Sequence, residues 1–145
     1  MSRKILIDDD AAQYASVEQR LKRLEQGIPE DTHAVGSTGE PAFENSWVNY
    51  DTTTWPAAGF YKAGGRVWLQ GMVNRGASAL TLSTVFTLPD GYRPAKRSLL
   101  TATATGALAR VDVYSDGQVQ LVSGTVGTGG SSSYLSLEGI SFRHA

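Results

Sequence analysis

Two different spacings of apolar residues divide this 145-residue chain. In the first 28 residues the apolar side chains recur at intervals of three and four, which is the heptad spacing of a helix with one apolar seam. The seam consists of Tyr14, Val17, Leu21, Leu24 and Ile28. Arg20 and Glu25 then take the g and e positions, which meet between parallel chains of a coiled coil. The pattern predicts a short N-terminal α-helical coiled coil in which the five seam residues make the oligomerisation contacts.

The ends of this helix are also marked in the sequence. Asp8, Asp9 and Asp10 offer an N-cap and favourable charge at the positive end of the helix dipole, whereas Gly27 and Pro29 end the helix. Two heptads are fewer than the three or four that identify a coiled coil on their own. The alternative is therefore an amphipathic helix that packs on its own domain. Because so short a helix is marginal in water, a stable assembly also needs contacts from the larger part of the chain.

From residue 46 onward the apolar period changes to two. Val67, Leu69, Gly71 and Val73 alternate with Trp68, Gln70, Met72 and Asn74, and similar alternation occurs around residues 111–113 and 119–121. Turn-forming residues lie between these runs, at Gly64-Gly65, Pro89-Asp90-Gly91 and Ser115-Asp116-Gly117. No useful helical pattern follows residue 30. The sequence therefore predicts an all-β antiparallel sandwich or barrel of seven or eight short strands.

The alternation also predicts which side chains form the core. The candidates are Trp47, Phe60, Val67, Leu69, Phe86, Leu88, Val111, Val113, Leu121, Leu137, Ile140 and Phe142. In the last strand the apolar parity changes at Glu138-Gly139, which predicts a β-bulge there. Trp68 and Met72 point away from the predicted core, so we expect them to lie in a subunit interface.

Charge and composition divide the chain into three parts. Residues 29–45 carry four acidic groups and no basic group, and they mix Pro, Gly, Ser and Thr without periodicity. Such a composition is typical of a linker. The predicted organisation is an anchor and coiled-coil helix over 1–28, a flexible acidic linker over 29–45 and a β head domain over 46–145.

The overall composition argues against several classes of protein. A formal net charge of −1 does not favour nucleic-acid binding, and the absence of cysteine excludes disulfides and thiolate zinc sites. No apolar run is long enough to span a membrane, and the first ten residues do not form a signal peptide. We therefore expect no nucleic-acid partner, no membrane insertion and an unprocessed, soluble chain.

No arrangement of residues favours catalysis. The glycine-rich stretch 124–133 has neither the lysine nor the following helix of a phosphate-binding loop. His33 falls in the predicted linker and His144 next to the last residue, so neither is placed as a general base or metal ligand. Asp112 is expected on an outward strand face and Asp116 in a turn, which suits solvation better than a glycosidase pair. The sequence predicts a protein that is not an enzyme and has no cofactor or metal.

The stretch from Trp47 to Tyr61 combines five aromatic residues with Asn49, Asp51 and three threonines. Aromatic rings beside hydrogen-bonding groups suit a sugar, which presents both C–H faces and hydroxyls. The candidate ligand-binding residues are Asn49, Tyr50, Asp51, Trp55 and Tyr61. Core and interface packing is the alternative for these rings, and it is the one that the composition favours.

Three segments carry a resemblance to a known group of proteins. FTLPDGYRPAKR (Phe86 to Arg97), VDVYSDGQV (Val111 to Val119) and YLSLEGISFR (Tyr134 to Arg143) together resemble the C-terminal domain of bacteriophage tail-fibre, minor tail and other virion surface proteins. The resemblance covers residues 45–143 and supplies no catalytic residues to transfer.

The resemblance implies a β-rich homotrimeric head on the virion, in the tail or on the capsid surface, that attaches to a host-cell surface, often to a carbohydrate. It also implies that the N-terminal segment, residues 1–28, binds another virion protein. The alternative is a purely structural virion protein, such as a capsid decoration or baseplate component, that binds no receptor. The sequence leaves open whether the assembly is a trimer or a dimer.

Overall fold

A computed structural model of the chain describes residues 8–25, 29–76, 82–124, 126 and 133–145. The described part contains one helix followed by short β-strands. The helix α1 spans Asp8–Glu25, and the strands are β1 His33–Ala34, β2 Trp47–Asn49, β3 Gly59–Ala63, β4 Arg66–Gln70, β5 Met72–Arg75, β6 Thr84–Thr87, β7 Ser98–Ala104, β8 Ala107–Val113, β9 Gln118–Ser123, β10 Leu135–Ser136 and β11 Ser141–Arg143.

The strands form two antiparallel sheets. The smaller has the order β1-β3-β4-β11 and the larger the order β2-β5-β10-β7-β8-β9-β6. Phe60 of the small sheet stacks on Phe86 of the large sheet, with ring centroids 6.2 Å apart. The sheets therefore pack face to face into a nearly closed barrel-like body, which confirms the predicted all-β antiparallel fold class.

The core lies between the sheets, where period-two alternation placed it. On β4, Val67 and Leu69 are buried, while Arg66, Trp68 and Gln70 point outward. All twelve predicted core residues are buried, and Val73, Val85, Val119 and Leu135 join them. The larger aromatic core residues, Trp47 and Phe60, are fully enclosed, which removes them as direct ligand contacts.

Two strand pairs pass from one sheet into the other. β4 continues as β5 through Gly71, whose φ of +101° lies in the left-handed region that favours glycine. A Cβ at this position would lie 2.5 Å from Ala58 backbone atoms. β10 and β11 change sheets at Glu138-Gly139, so the predicted bulge is in fact a break between two strands. The parity of the apolar residues changes there because the chain enters the other sheet.

The predicted turns occur where strands reverse. Gly64 and Gly65, with φ of +59° and +77°, connect β3 to β4. Two consecutive positive φ values are the requirement of a type I′ hairpin turn. Gly117, with φ of +95°, closes the β8–β9 hairpin, where its N–H donates to the carbonyl of Tyr114.

Residues 29–45 are not a flexible linker, which corrects the sequence prediction. β1 pairs with β3, and Val35 is buried, with its N–H donating to the carbonyl of Ala58 at 2.9 Å. Further along, the Glu44 N–H donates to the carbonyl of Val85 at 2.8 Å. The segment lacks apolar periodicity because it lies at the sheet edge and is held by backbone pairing and a few buried side chains. It belongs to the β body.

The seam residues of the helix whose side chains the structure describes are exposed to solvent. Tyr14, Val17 and Leu21 are 64%, 51% and 52% exposed. Within a single chain these side chains are therefore not covered by the β body. The side chain of Leu24 and all of Ile28 lie outside the described residues, as do residues 1–7.

Candidate functional site

Three of the five candidate ligand-binding residues lie in the loop that joins β2 to β3, residues 50–58, hereafter the aromatic loop. Its start is fixed where the Tyr50 N–H donates to the carbonyl of Met72 at 2.9 Å. Its end is fixed where the Ala58 N–H donates to Asn49 Oδ1 at 2.8 Å. The Met72 N–H donates to the carbonyl of Pro56 at 3.2 Å. Because the loop is hydrogen-bonded to β5 through Met72, its exposed side chains are held in a defined position.

Trp55 is the main exposed ring of the aromatic loop, with 43% of its surface accessible. The backbone N–H of Trp55 donates to the carbonyl of Asp51 at 2.9 Å, which closes a helical turn. The Asp51 carboxylate accepts the Thr53 N–H at 2.9 Å. Hydrogen bonds from Thr53 and Thr54 lower the pKa of Asp51 below its ordinary value. The loop therefore carries an ionised acceptor group, the Asp51 carboxylate, four residues before the exposed indole of Trp55.

A second ring lies beside the start of the loop. Tyr50 meets Tyr134 edge to face, with ring centroids 5.9 Å apart. The Tyr134 hydroxyl accepts the Gly106 N–H at 3.2 Å, so this ring also ties the β7–β8 hairpin to the loop. Nothing in the sequence linked residue 134 to residue 50, because they are brought together by the strand order of the large sheet.

The structure divides the predicted site residues between two places. Tyr50, Asp51 and Trp55 share the aromatic loop, whereas the Asn49 side chain serves to fix the loop backbone. Tyr61 is separate, on β3, directly opposite Trp68 of β4. The predicted interface residues Trp68 and Met72 lie on either side of Gly71, on strands of different sheets.

His33 is not a solvated linker residue, which is a second correction. Its ring stacks on Phe60 with centroids 5.1 Å apart, and Nδ1 lies 2.8 Å from Glu40 Oε1. Its Nε2 lies 3.0 Å from the Tyr92 hydroxyl. The pKa of Tyr92 is raised to about 12, mainly because the hydroxyl is partly buried and in addition because the Glu30 and Glu40 carboxylates lie nearby. The cluster anchors residues 29–45 to the body.

Asp112 also differs from its prediction as a solvated outward carboxylate. It points outward on β8, as its parity requires, but it is fully buried because two arginines cover it. Arg97 Nε donates to Oδ2 at 2.7 Å, and Arg110 Nε donates to Oδ1 at 2.8 Å. Burial raises the pKa of Asp112, but the hydrogen bonds and charges of Arg110 and Arg97 outweigh it and hold that pKa below its ordinary value. Asp112 is a structural ion-pair centre.

Other predicted features give few further contacts. Asp116 lies in the β8–β9 turn, where its carboxylate accepts the Gln118 N–H at 3.1 Å. Most of the glycine-rich stretch 124–133 lies outside the described residues. Within the ranges that the structure covers, no three His, Asp or Glu side chains are grouped to hold a metal ion. Among the described residues, no helix is both long enough and apolar enough to cross a membrane.

Comparison with known proteins gives a match at the level of structure. The crystal structure of the receptor binding protein (gp15) of Listeria phage PSA superposes with a TM-score of 0.56 over 94% of this chain and 79% of that one, at 16% sequence identity. The chain shares the fold of a phage receptor binding protein. No family model matches the sequence, and no curated protein is similar to it. The resemblance to phage tail and virion surface proteins, inferred from three short segments, is thus confirmed at the level of fold.

Proposed function

We propose that this chain is a virion surface protein of a bacteriophage, located in the tail or on the capsid surface, that attaches the particle to a carbohydrate of the host-cell surface. The single observation that carries the proposal is the fold shared with the receptor binding protein of Listeria phage PSA over nearly the whole chain. The protein acts by binding and not by catalysis, and it requires no cofactor.

The helix supports assembly into a homotrimer. Tyr14, Val17 and Leu21 lie at heptad spacing and are more than half exposed in the single chain. Exposed apolar side chains in one seam are stabilised when copies of the helix pack together. Trimerisation multiplies weak single-site affinities through effective concentration. Residues 1–28 also serve to bind another virion protein.

The aromatic loop is the proposed carbohydrate contact. Trp55 presents an exposed indole on which the C–H face of a pyranose stacks, and Asp51 supplies an ionised acceptor for sugar hydroxyls. The loop that carries both is held at its two ends, where the Tyr50 N–H donates to the Met72 carbonyl and the Ala58 N–H donates to Asn49 Oδ1. A site fixed before binding loses little entropy when the ligand docks.

A glycan array with the full chain tests this proposal. Trp55→Ala is expected to weaken the bound signal about tenfold, because it removes the stacking surface from an exposed position. Leu99→Ala is the matched control, since Leu99 is an exposed apolar residue on β7. Equal signals from the parent and Trp55→Ala would remove the loop as the contact.

Mass and localisation measurements test the remaining parts. We expect light scattering at micromolar concentration to give three times the mass of one chain, and Leu21→Glu to reduce it to one. A monomeric parent would exclude the avidity argument. Tight binding to phage particles without any binding to host cells would instead favour a structural virion protein.

A further inference from the structure

The outward face of the small sheet has an unusual composition. We define the arginine face as the outward side chains of β3, β4 and β11, which alternate with the buried residues of the same strands. It consists of Tyr61, Ala63, Arg66, Trp68, Gln70, Ser141 and Arg143. These outward positions hold two arginines, two aromatic rings and no acidic residue.

The two arginines lie directly opposite one another. Arg66 of β4 and Arg143 of β11 are register partners, so both guanidinium groups leave the same face of the sheet. Like charges in directly opposite positions destabilise a sheet. In the described part of the chain, neither Arg66 nor Arg143 forms an ion pair with an acid. Arg97 and Arg110, by contrast, share the carboxylate of Asp112.

Arg66 is positioned rather than extended freely into solvent. Its Nε donates to Ser141 Oγ at 3.0 Å, and its Nη2 donates to the Ser141 carbonyl at 2.9 Å. A guanidinium has five N–H donors, so donors remain for an anionic group after these two contacts. The fork geometry suits bidentate binding of a carboxylate or phosphate.

The aromatic rings occupy the neighbouring row of the same face. Tyr61 and Trp68 are register partners, and Trp68 is in turn the register partner of Ser141, which holds Arg66. The Trp68 indole N–H donates to the carbonyl of Ala63 at 3.3 Å, which fixes the ring over the β3–β4 hairpin. Half-buried rings beside a fixed cation combine a stacking surface with an anion site.

We propose that the arginine face is a second saccharide site, separate from the aromatic loop, and that it binds an acidic sugar bearing a carboxylate or phosphate. Arg66 and Arg143 bind the anionic group, and Tyr61 and Trp68 contact the sugar ring. Charge complementarity selects this ligand, because the face carries two adjacent positive charges and no acid. The inference rests on the proposed attachment function, for which it names the class of ligand.

Biolayer interferometry with the immobilised full chain tests the proposal. The probes are oligogalacturonate, which carries carboxylates, and phosphorylated mannan; their neutral counterparts are the methyl ester and the dephosphorylated mannan. The double variant Arg66→Gln/Arg143→Gln is expected to weaken binding of an anionic probe about tenfold or more, since it removes charge-assisted hydrogen bonds. Which of the two anionic probes binds distinguishes a carboxylate ligand from a phosphate ligand.

The control is Lys22→Gln/Lys96→Gln, which removes two exposed positive charges elsewhere and so matches the change in net charge. It is expected to bind as the parent does. Tyr61→Thr, which keeps a strand-forming residue, is expected to weaken binding of the anionic probe through the loss of stacking.

The proposal is overturned if the arginine double variant binds as tightly as the parent, if the lysine control loses as much affinity, or if the parent binds neither anionic probe. It is also overturned if the arginine variant changes the mass in solution, because the face would then lie between copies of the chain. These results leave the attachment function intact wherever Trp55→Ala still weakens the glycan-array signal.

Discussion

Asp112 is the residue whose replacement tests the description of the β body most directly. Its carboxylate is fully buried and accepts hydrogen bonds from Arg97 Nε at 2.7 Å and from Arg110 Nε and Nη2 at 2.8 and 2.9 Å. Asp112→Asn keeps the shape, but it removes the charge and turns one acceptor into an N–H₂ group that faces the guanidinium donors. The substitution therefore leaves buried polar atoms unpaired.

The magnitude follows from the burial of the three partners. Breaking a fully buried ion pair costs about 3–5 kcal/mol. The arginine side chains retain 44% and 43% exposure, so water can solvate them once the carboxylate is lost. We therefore expect Asp112→Asn to lower the free energy of unfolding by about 2–3 kcal/mol and Tm by roughly 10 °C.

Urea unfolding followed by tryptophan fluorescence, at equal protein concentrations, measures this difference. Asp116→Asn is the control, because Asp116 is exposed and a smaller loss is expected there. The pKa of Asp112 is lowered in the folded state, so its stabilisation is complete above the unfolded value and is lost as the pH falls through the folded one. The gap between parent and Asp112→Asn should therefore be full at pH 7 and should shrink as the pH falls below the ordinary value of 3.8. A variant within about 0.5 kcal/mol of the parent at pH 7 would refute the ion-pair description.

Two further predictions concern backbone geometry and a partly buried hydroxyl. Gly71→Ala is expected to unfold or severely destabilise the body, because its Cβ would lie 2.5 Å from Ala58 backbone atoms. Gly64→Ala, whose Cβ would meet nothing within 4 Å, should lower the free energy of unfolding by only about 1–2 kcal/mol because of its positive φ. Thermal melts of both variants compare the two costs, and equal melting temperatures would contradict the close packing at Gly71. The pKa of Tyr92 is raised from the ordinary 10.0 to about 12 in the folded state, so its contribution to stability is present below pH 10 and is lost as the pH rises through the folded value. The difference between the absorbance titrations of the parent and of Tyr92→Phe isolates this group. A midpoint near 10 would show that burial and the neighbouring Glu30 do not raise this pKa.

Local patterns in the sequence were sufficient for several of the strands and turns. Alternation around Val67 and Leu69 and the glycine pair before Arg66 depend on neighbours in the chain, so a single sequence predicts them well. Residues 29–45 were missed because contacts distant in sequence hold them, above all the stacking of His33 on Phe60. No local signal distinguishes such a segment from a linker.

The same limit applies to the sites. The outward parity of Asp112 was predicted correctly, but its burial depends on Arg110, two residues earlier on β8, and on Arg97, which precedes β7. The aromatic residues between 47 and 61 were identified together, yet the fold encloses Trp47 and Phe60 and leaves Trp55 exposed. The pairing of Arg66 with Arg143 depends on strand order, which residue spacing does not encode.

The edge position of β1 determines how the protein responds to mechanical load. If a particle holds the helix while a cell holds the β body, tension enters at residue 29 and first meets the hydrogen bonds between Glu30 and Lys62, and then β1, a strand of two residues. β1 separates from β3 one residue pair at a time, and residues 29–45, once released and extended, lengthen the connection between helix and body by roughly 55 Å. Release of this segment would leave the strand pairs of the larger sheet in place, because β1 lies at the edge of the smaller sheet.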